Sequence, residues 1–172
     1  GGRNTGGGGG AGGYRSAGFG PAPLQGSVEI LEAGSYSITV GAGGANKVSG
    51  NPSVFSTITS AGGGHGSEQS SPSIPGGSGG GAAGSDGTPR SGGTGNSPPT
   101  SPPQGNSGGS NFASNPYTAG GGGGATAVGG NASSPTSGNG GAGAPNTITG
   151  SDVTYAGGGG GGSFDSLPSC SR

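Results

Sequence analysis

Glycine falls in five runs along this chain, at residues 6–10, 62–64, 79–81, 120–124 and 157–162, and these runs exclude most ordinary folds. A run without Cβ atoms has no hydrophobic face to bury, and glycine loses more backbone freedom on ordering than any other residue. Such runs persist either as flexible spacer or as strands packed backbone against backbone. Glycine supplies 52 of the 172 residues and proline 14, above the roughly 25–30% at which aperiodic glycine and proline signal low complexity. A collagen triple helix is excluded: residues 67–74 contain no glycine, and that helix needs one at every third position.

Side chains for a conventional core are scarce. Hydrophobic residues make up 23% of the chain, with four Phe, four Tyr and no Trp or Met, too little for the single core that a domain of this length normally builds. Charge is equally sparse, with five basic and six acidic residues and a net charge of −1, without the blocks of like charge that hold many disordered chains open. The packed alternative is the polyglycine II strand, extended like polyproline II with three residues per turn and about 3.1 Å rise. It has no internal hydrogen bonds, so its N–H and C=O groups must pair with neighbouring strands when buried.

The alternating stretches Ser-Val-Glu-Ile-Leu-Glu at 27–32 and Ser-Tyr-Ser-Ile-Thr-Val at 35–40, separated by Ala33 and Gly34, predict an antiparallel β-hairpin over 27–40. A third β-prone stretch, Ser-Val-Phe-Ser-Thr-Ile-Thr at 53–59, leads through Ala61 into the run at 62–64. The same junction recurs where Asn-Pro-Tyr-Thr-Ala at 115–119 and Asp-Val-Thr-Tyr-Ala at 152–156 precede the two longest later runs. At each, the aromatic is expected to pack on the side-chain-free face of the glycine layer and anchor one strand end.

Residues 66–115 read as a Ser/Pro/Gly-rich loop region with polyproline character. Because an unstructured loop of that length is abnormal in a compact domain, residues 76–84 are expected to add one more extended strand. No window offers a 3.6-residue period free of Gly and Pro, so no helix is expected. The predicted fold is a single glycine-rich domain over 1–172, mainly β and irregular: a short antiparallel β-hairpin plus layered polyglycine II strands, with further glycine-rich strands over 115–164.

The stretch Gly-Ser-Tyr-Ser-Ile-Thr-Val-Gly-Ala-Gly-Gly at 34–44, the Ser/Phe segment at 53–57 and the Ala-Gly runs that follow, with a glycine tract at 6–13 ahead of them, resemble the glycine-rich domain of bacteriophage tail fibres and related virion or surface proteins. The specific part of the resemblance covers about residues 34–64. It implies a structural and adhesive role without catalysis, in which stacked polyglycine II strands form a rigid sandwich and variable loops at one end bind a host surface. The long Ser/Pro/Gly insertion departs from that pattern.

Catalytic, metal and cofactor sites are not expected. One histidine, His65, read as a loop residue, and one cysteine, Cys170, cannot supply three or four zinc ligands within one chain. Glu29 and Glu32 read as the solvated edge of the hairpin, lacking the concave site that separates the pKa values of paired catalytic acids. Matches to Gly-x-Gly-x-x-Gly arise by chance at this glycine content and lack the strand-to-helix context of a phosphate loop. Scattered Arg3, Arg15, Lys47, Arg90 and Arg172 make no basic stripe for nucleic acid, and no apolar stretch approaches a membrane span.

Three features remain as candidate sites. Asn131-Ala-Ser is an N-glycosylation sequon. Asn111, Phe112, Asn115 and Tyr117 have the composition of an adaptable surface-binding loop. Cys170 is a candidate intermolecular thiol. The opening Gly-Gly-Arg reads as that of a processed product or a fragment. The expected function is a non-enzymatic structural subunit of an extracellular or virion fibre or filament, self-assembling through backbone-paired glycine-rich strands. The alternative is a receptor-binding adhesin at a tail-fibre tip that recognises a bacterial surface protein or glycan.

Overall fold

The computed structural model describes residues 6–69, 71–84 and 87–164. Its buried hydrophobic side chains are all methyl groups, and the larger side chains inside are the polar Ser67, Ser78, Gln104, Thr118 and Asn146. The buried hydrophobic residues are Ala11, Ala82, Ala83, Ala119, Ala125 and Ala144, and around them residues 76–84 and 118–125 are buried without interruption. The core is therefore made of backbone, as the glycine runs require.

Hydrogen bonding in this core repeats every third residue. All seven N–H groups of segment 119–125 donate. Gly120 and Gly123 donate to Ala82 and Gly79, Gly121 and Gly124 to Gly130 and Ala127, and Ala119, Gly122 and Ala125 to Gly162, Gly159 and Ala156. Its carbonyls accept with the same repeat: from Gly8 and Ala11, from Gly109 and Asn106, and from Gly138 and Gly141. A threefold extended helix turns each successive N–H by about 120°, so one strand donates to three neighbours and accepts from three others. Segment 119–125 is thus surrounded by six strands, the hexagonal packing of polyglycine II. Segment 76–84 is bonded in the same way to 6–13, 61–67, 92–97, 104–111 and 119–125.

Most lattice glycines are required for space. A Cβ added at Gly7, Gly8, Gly10, Gly64, Gly81 or at any of residues 120–124 would lie closer than 3.0 Å to backbone atoms of a neighbouring strand. The described glycines with positive φ are Gly18, Gly87 and Gly150, all outside these segments.

Ordinary secondary structure is confined to the margins. A single 3-10 turn spans Ala22–Leu24, and there is no α-helix among the described residues. Strands β1 (Ile38–Thr39), β2 (Ser53–Phe55) and β3 (Ile58–Ser60) form one antiparallel sheet. Strand β4 (Tyr117–Thr118) pairs with β7 (Ser163–Phe164), and β5 (Ala144–Asn146) with β6 (Val153–Tyr155). Strands β3, β4 and β6 each pass through an alanine (Ala61, Ala119, Ala156) into a glycine segment, which is the junction read from sequence.

Three sequence expectations differ from the structure. The hairpin expected over 27–40 is absent: residues 27–32 form no strand, and β1 pairs with β2 in the register Ile38↔Phe55, Thr39↔Val54. The true hairpin is β2–β3, turning at Ser56, whose φ of 52° gives the left-handed turn residue that two-residue hairpins need. Tyr36 packs its ring on Phe55 at 6.1 Å and donates its hydroxyl to the Glu32 carbonyl, which draws the second half of the stretch onto β2. Second, the region 66–115 is no continuous loop, because 76–84, 92–97 and 104–111 are all lattice strands. Serine and asparagine fit there as auxiliary bonding groups: Asn106 Nδ2 donates to the Gly124 and Ala125 carbonyls, and Ser107 Oγ accepts from the Gly95 N–H. Third, His65 lies inside lattice segment 61–67, its N–H on Ser49 Oγ and its Nδ1 3.0 Å from the Gly66 carbonyl oxygen.

Candidate functional site

Three surfaces of the lattice could meet a partner: the two ends of the strands and the open flank. At one end stand the loops that include the predicted surface-binding residues. Asn111 is committed to holding the chain there, since its Oδ1 accepts from the Arg90 N–H at 2.7 Å and its Nδ2 donates to the Thr88 carbonyl. Phe112 is half-buried and bridges Thr118, and Tyr117 pairs with Phe164. Asn115 is exposed at the tip. The structure therefore brings Asn111, Phe112, Asn115 and Tyr117 into one tight turn, with Asn115 as its solvent-facing member. Asn131 neighbours it: its Oδ1 accepts from the Ser110 N–H at 2.8 Å, and its residue is exposed. Cys170 lies outside the described residues.

The opposite end carries what the sequence reading missed. Segment 27–40 lies there with its apolar side chains uncovered: Val28 is 75% exposed, Ile30 84% and Val40 83%. An open cleft of about 470 Å³ adjoins it, and a second of about 720 Å³ shares Arg15, Ser16, Ala17, Phe55 and Ser60 with the first. Tyr14, Phe19, Asn146 and Tyr155 line the larger one, where Asn146 Nδ2 donates to the Tyr14 hydroxyl at 2.8 Å. Phe19 and Ala156 adopt left-handed backbone, at φ 56° and 57°. Their grouping could not be read from sequence, because hydrogen bonds between segments far apart in the chain bring Tyr14, Asn146 and Tyr155 to one lattice end.

The flank is defined by segment 156–162. Among the described residues it bonds to three neighbours, 119–125, 137–143 and 6–13, where segment 119–125 has six. Neither the N–H nor the C=O of Gly157 or Gly160 is hydrogen-bonded among the described residues.

Among the described residues there is no group of three His, Cys, Asp or Glu able to hold a metal ion, and no helix long and apolar enough to cross a membrane. The one ion pair there, Lys47 to Glu68 at 2.9 Å, is at the surface.

A lattice of backbone-paired glycine strands with short β-strands at its margins defines a glycine-rich domain. A family model described as a glycine-rich domain matches residues 1–169, and the chain belongs to that family. No curated protein and no solved structure matches it.

Proposed function

We propose that this protein is a non-enzymatic structural subunit of an extracellular or virion fibre, assembling through backbone hydrogen bonds between glycine-rich strands. The observation that carries this reading is the incomplete lattice. Segment 156–162 has half the neighbours of segment 119–125, and an open row of N–H and C=O groups is a template for strand addition. Rigidity fits the role, since every N–H of 119–125 is bonded between strands and the largest buried side chain, Gln104, is itself held by hydrogen bonds to Ala61 and Pro98. Negative-stain microscopy of the purified chain tests it: fibres or regular oligomers are expected, and isolated particles at all concentrations would refute it.

The adhesin reading draws its support from the end bearing Phe19, Tyr155 and the exposed Val28, Ile30 and Val40, an apolar surface of the sort that marks interaction sites. Binding of the chain to bacterial surfaces, lost on Phe19→Ser, is the corresponding test.

A further inference from the structure

We infer that the flank formed by segments 6–13 and 156–162 is a homotypic interface, at which a second copy of this chain continues the polyglycine lattice. The inference rests on the assembly reading and names its surface and partner. The two segments are neighbours, joined by the Gly159 and Gly162 N–H groups on the Gly9 and Gly6 carbonyls at 2.9 and 3.0 Å. On their outer side the N–H groups of Gly9, Gly12, Gly157 and Gly160 make no hydrogen bond among the described residues, and neither do the carbonyls of Gly157 and Gly160. Unused groups thus recur every third residue on both segments, in the repeat that interior strands use to bind one another.

A second observation is independent of those bonds. The chain keeps glycine on this flank where its own fold does not call for it. Among the described residues a Cβ on Gly9 or Gly160 would meet nothing within 4 Å, and on Gly12 or Gly157 the nearest atom would be 3.7 or 3.9 Å away. None of the four has a positive φ. Glycine orders at a greater entropic cost than alanine, and alanine is accepted in these same segments at Ala11 and Ala156. Absence of a Cβ is useful here only to a strand arriving from outside, which needs the close backbone approach seen throughout the interior.

The arriving strand is best supplied by the same face of another copy. The flank offers both donors and acceptors, so it is self-complementary, as an isologous interface must be. It also carries no charge, since segments 6–13 and 156–162 contain no Asp, Glu, Lys or Arg and two copies meet without repulsion. The expected product of this face is a closed dimer, which a second surface would have to link into a fibre.

Sedimentation equilibrium of the full chain tests this with Gly9→Ala/Gly160→Ala, which adds two methyl groups to the flank and leaves the interior untouched. The wild type is expected to dimerise. The double variant should dissociate with a constant at least tenfold higher, while its Gly120–Gly124 amides keep wild-type exchange protection. Gly34→Ala, equally open in the structure but outside the two segments, should associate like the wild type. Wild-type association strength in the double variant would overturn this interface and leave the assembly reading standing on another surface. A wild-type chain that is monomeric throughout would overturn both.

Discussion

The lattice makes a quantitative prediction at Gly122, the middle of the most enclosed strand. Its N–H donates to Gly159 and its carbonyl accepts from Gly141, both at 2.8 Å. A Cβ there would run into the carbonyl group of Gly9 and the nitrogen of Gly10. Relief requires segment 6–13 to back away, and that segment is held to 119–125 by Gly8 to Gly120 at 3.0 Å and Ala11 to Gly123 at 3.1 Å. Overpacking costs about 1–3 kcal/mol, and each buried group left unpaired costs about 1–3 kcal/mol. With the two inter-strand bonds spoilt, Gly122→Ala should destabilise by at least about 3 kcal/mol. Gly160→Ala is the matched comparison, because its Cβ enters open space; it should be neutral or stabilising by up to about 1 kcal/mol through the unfolded chain. Urea denaturation followed by far-UV circular dichroism, at a concentration where the protein is monomeric, measures both. A difference of roughly 3 kcal/mol corresponds to about 6–12 °C in Tm for a chain of this size. If the two variants unfold within about 1 kcal/mol of each other, below the cost of even one unpaired buried group, the close-packed glycine lattice is wrong.

Further expectations concern the few side chains inside. Ser67 Oγ accepts the Ala83 N–H, so Ser67→Ala should cost about 1–3 kcal/mol by orphaning a buried donor; Ser78 Oγ is buried without a partner among the described residues, so Ser78→Ala should be neutral or stabilising in the same denaturation experiment. Gln104 is 1% exposed and spans Ala61 N–H and the Pro98 carbonyl, both at 2.8 Å; Gln104→Ala should destabilise by about 2–4 kcal/mol through two unpaired groups, and wild-type stability would refute that clamp. Ser56→Gly should stabilise by up to about 1 kcal/mol by relieving left-handed backbone in the β2–β3 turn, read as a rise in Tm. In hydrogen exchange of the monomer, the amides of residues 120–124 should be among the slowest and those of Gly9 and Gly160 among the fastest; equal rates would contradict the inside–outside assignment.

The sequence determined what kind of interior is possible. With 52 glycines and few large apolar residues, only backbone could fill the core, and the alanine junctions at 61, 119 and 156 marked where chains enter it. The extended strand at 76–84 was legible as well, because a long stretch without helix signals had to be held somewhere. Which strand neighbours which was decided only by tertiary structure, since tracts without side chains carry weak register information; a sixfold environment around 119–125 follows from the 120° turn of successive N–H groups, but its occupants do not. The hairpin expected at 27–40 shows the same limit from the other side. Alternation of Val28 and Ile30 signalled a half-buried strand, yet a lattice without side-chain pockets gives those residues nothing to pack against, and they stand in solvent. The aromatic end and the open flank are likewise products of threading, assembled from residues more than a hundred positions apart, because inter-strand hydrogen bonds alone decide which segments lie side by side.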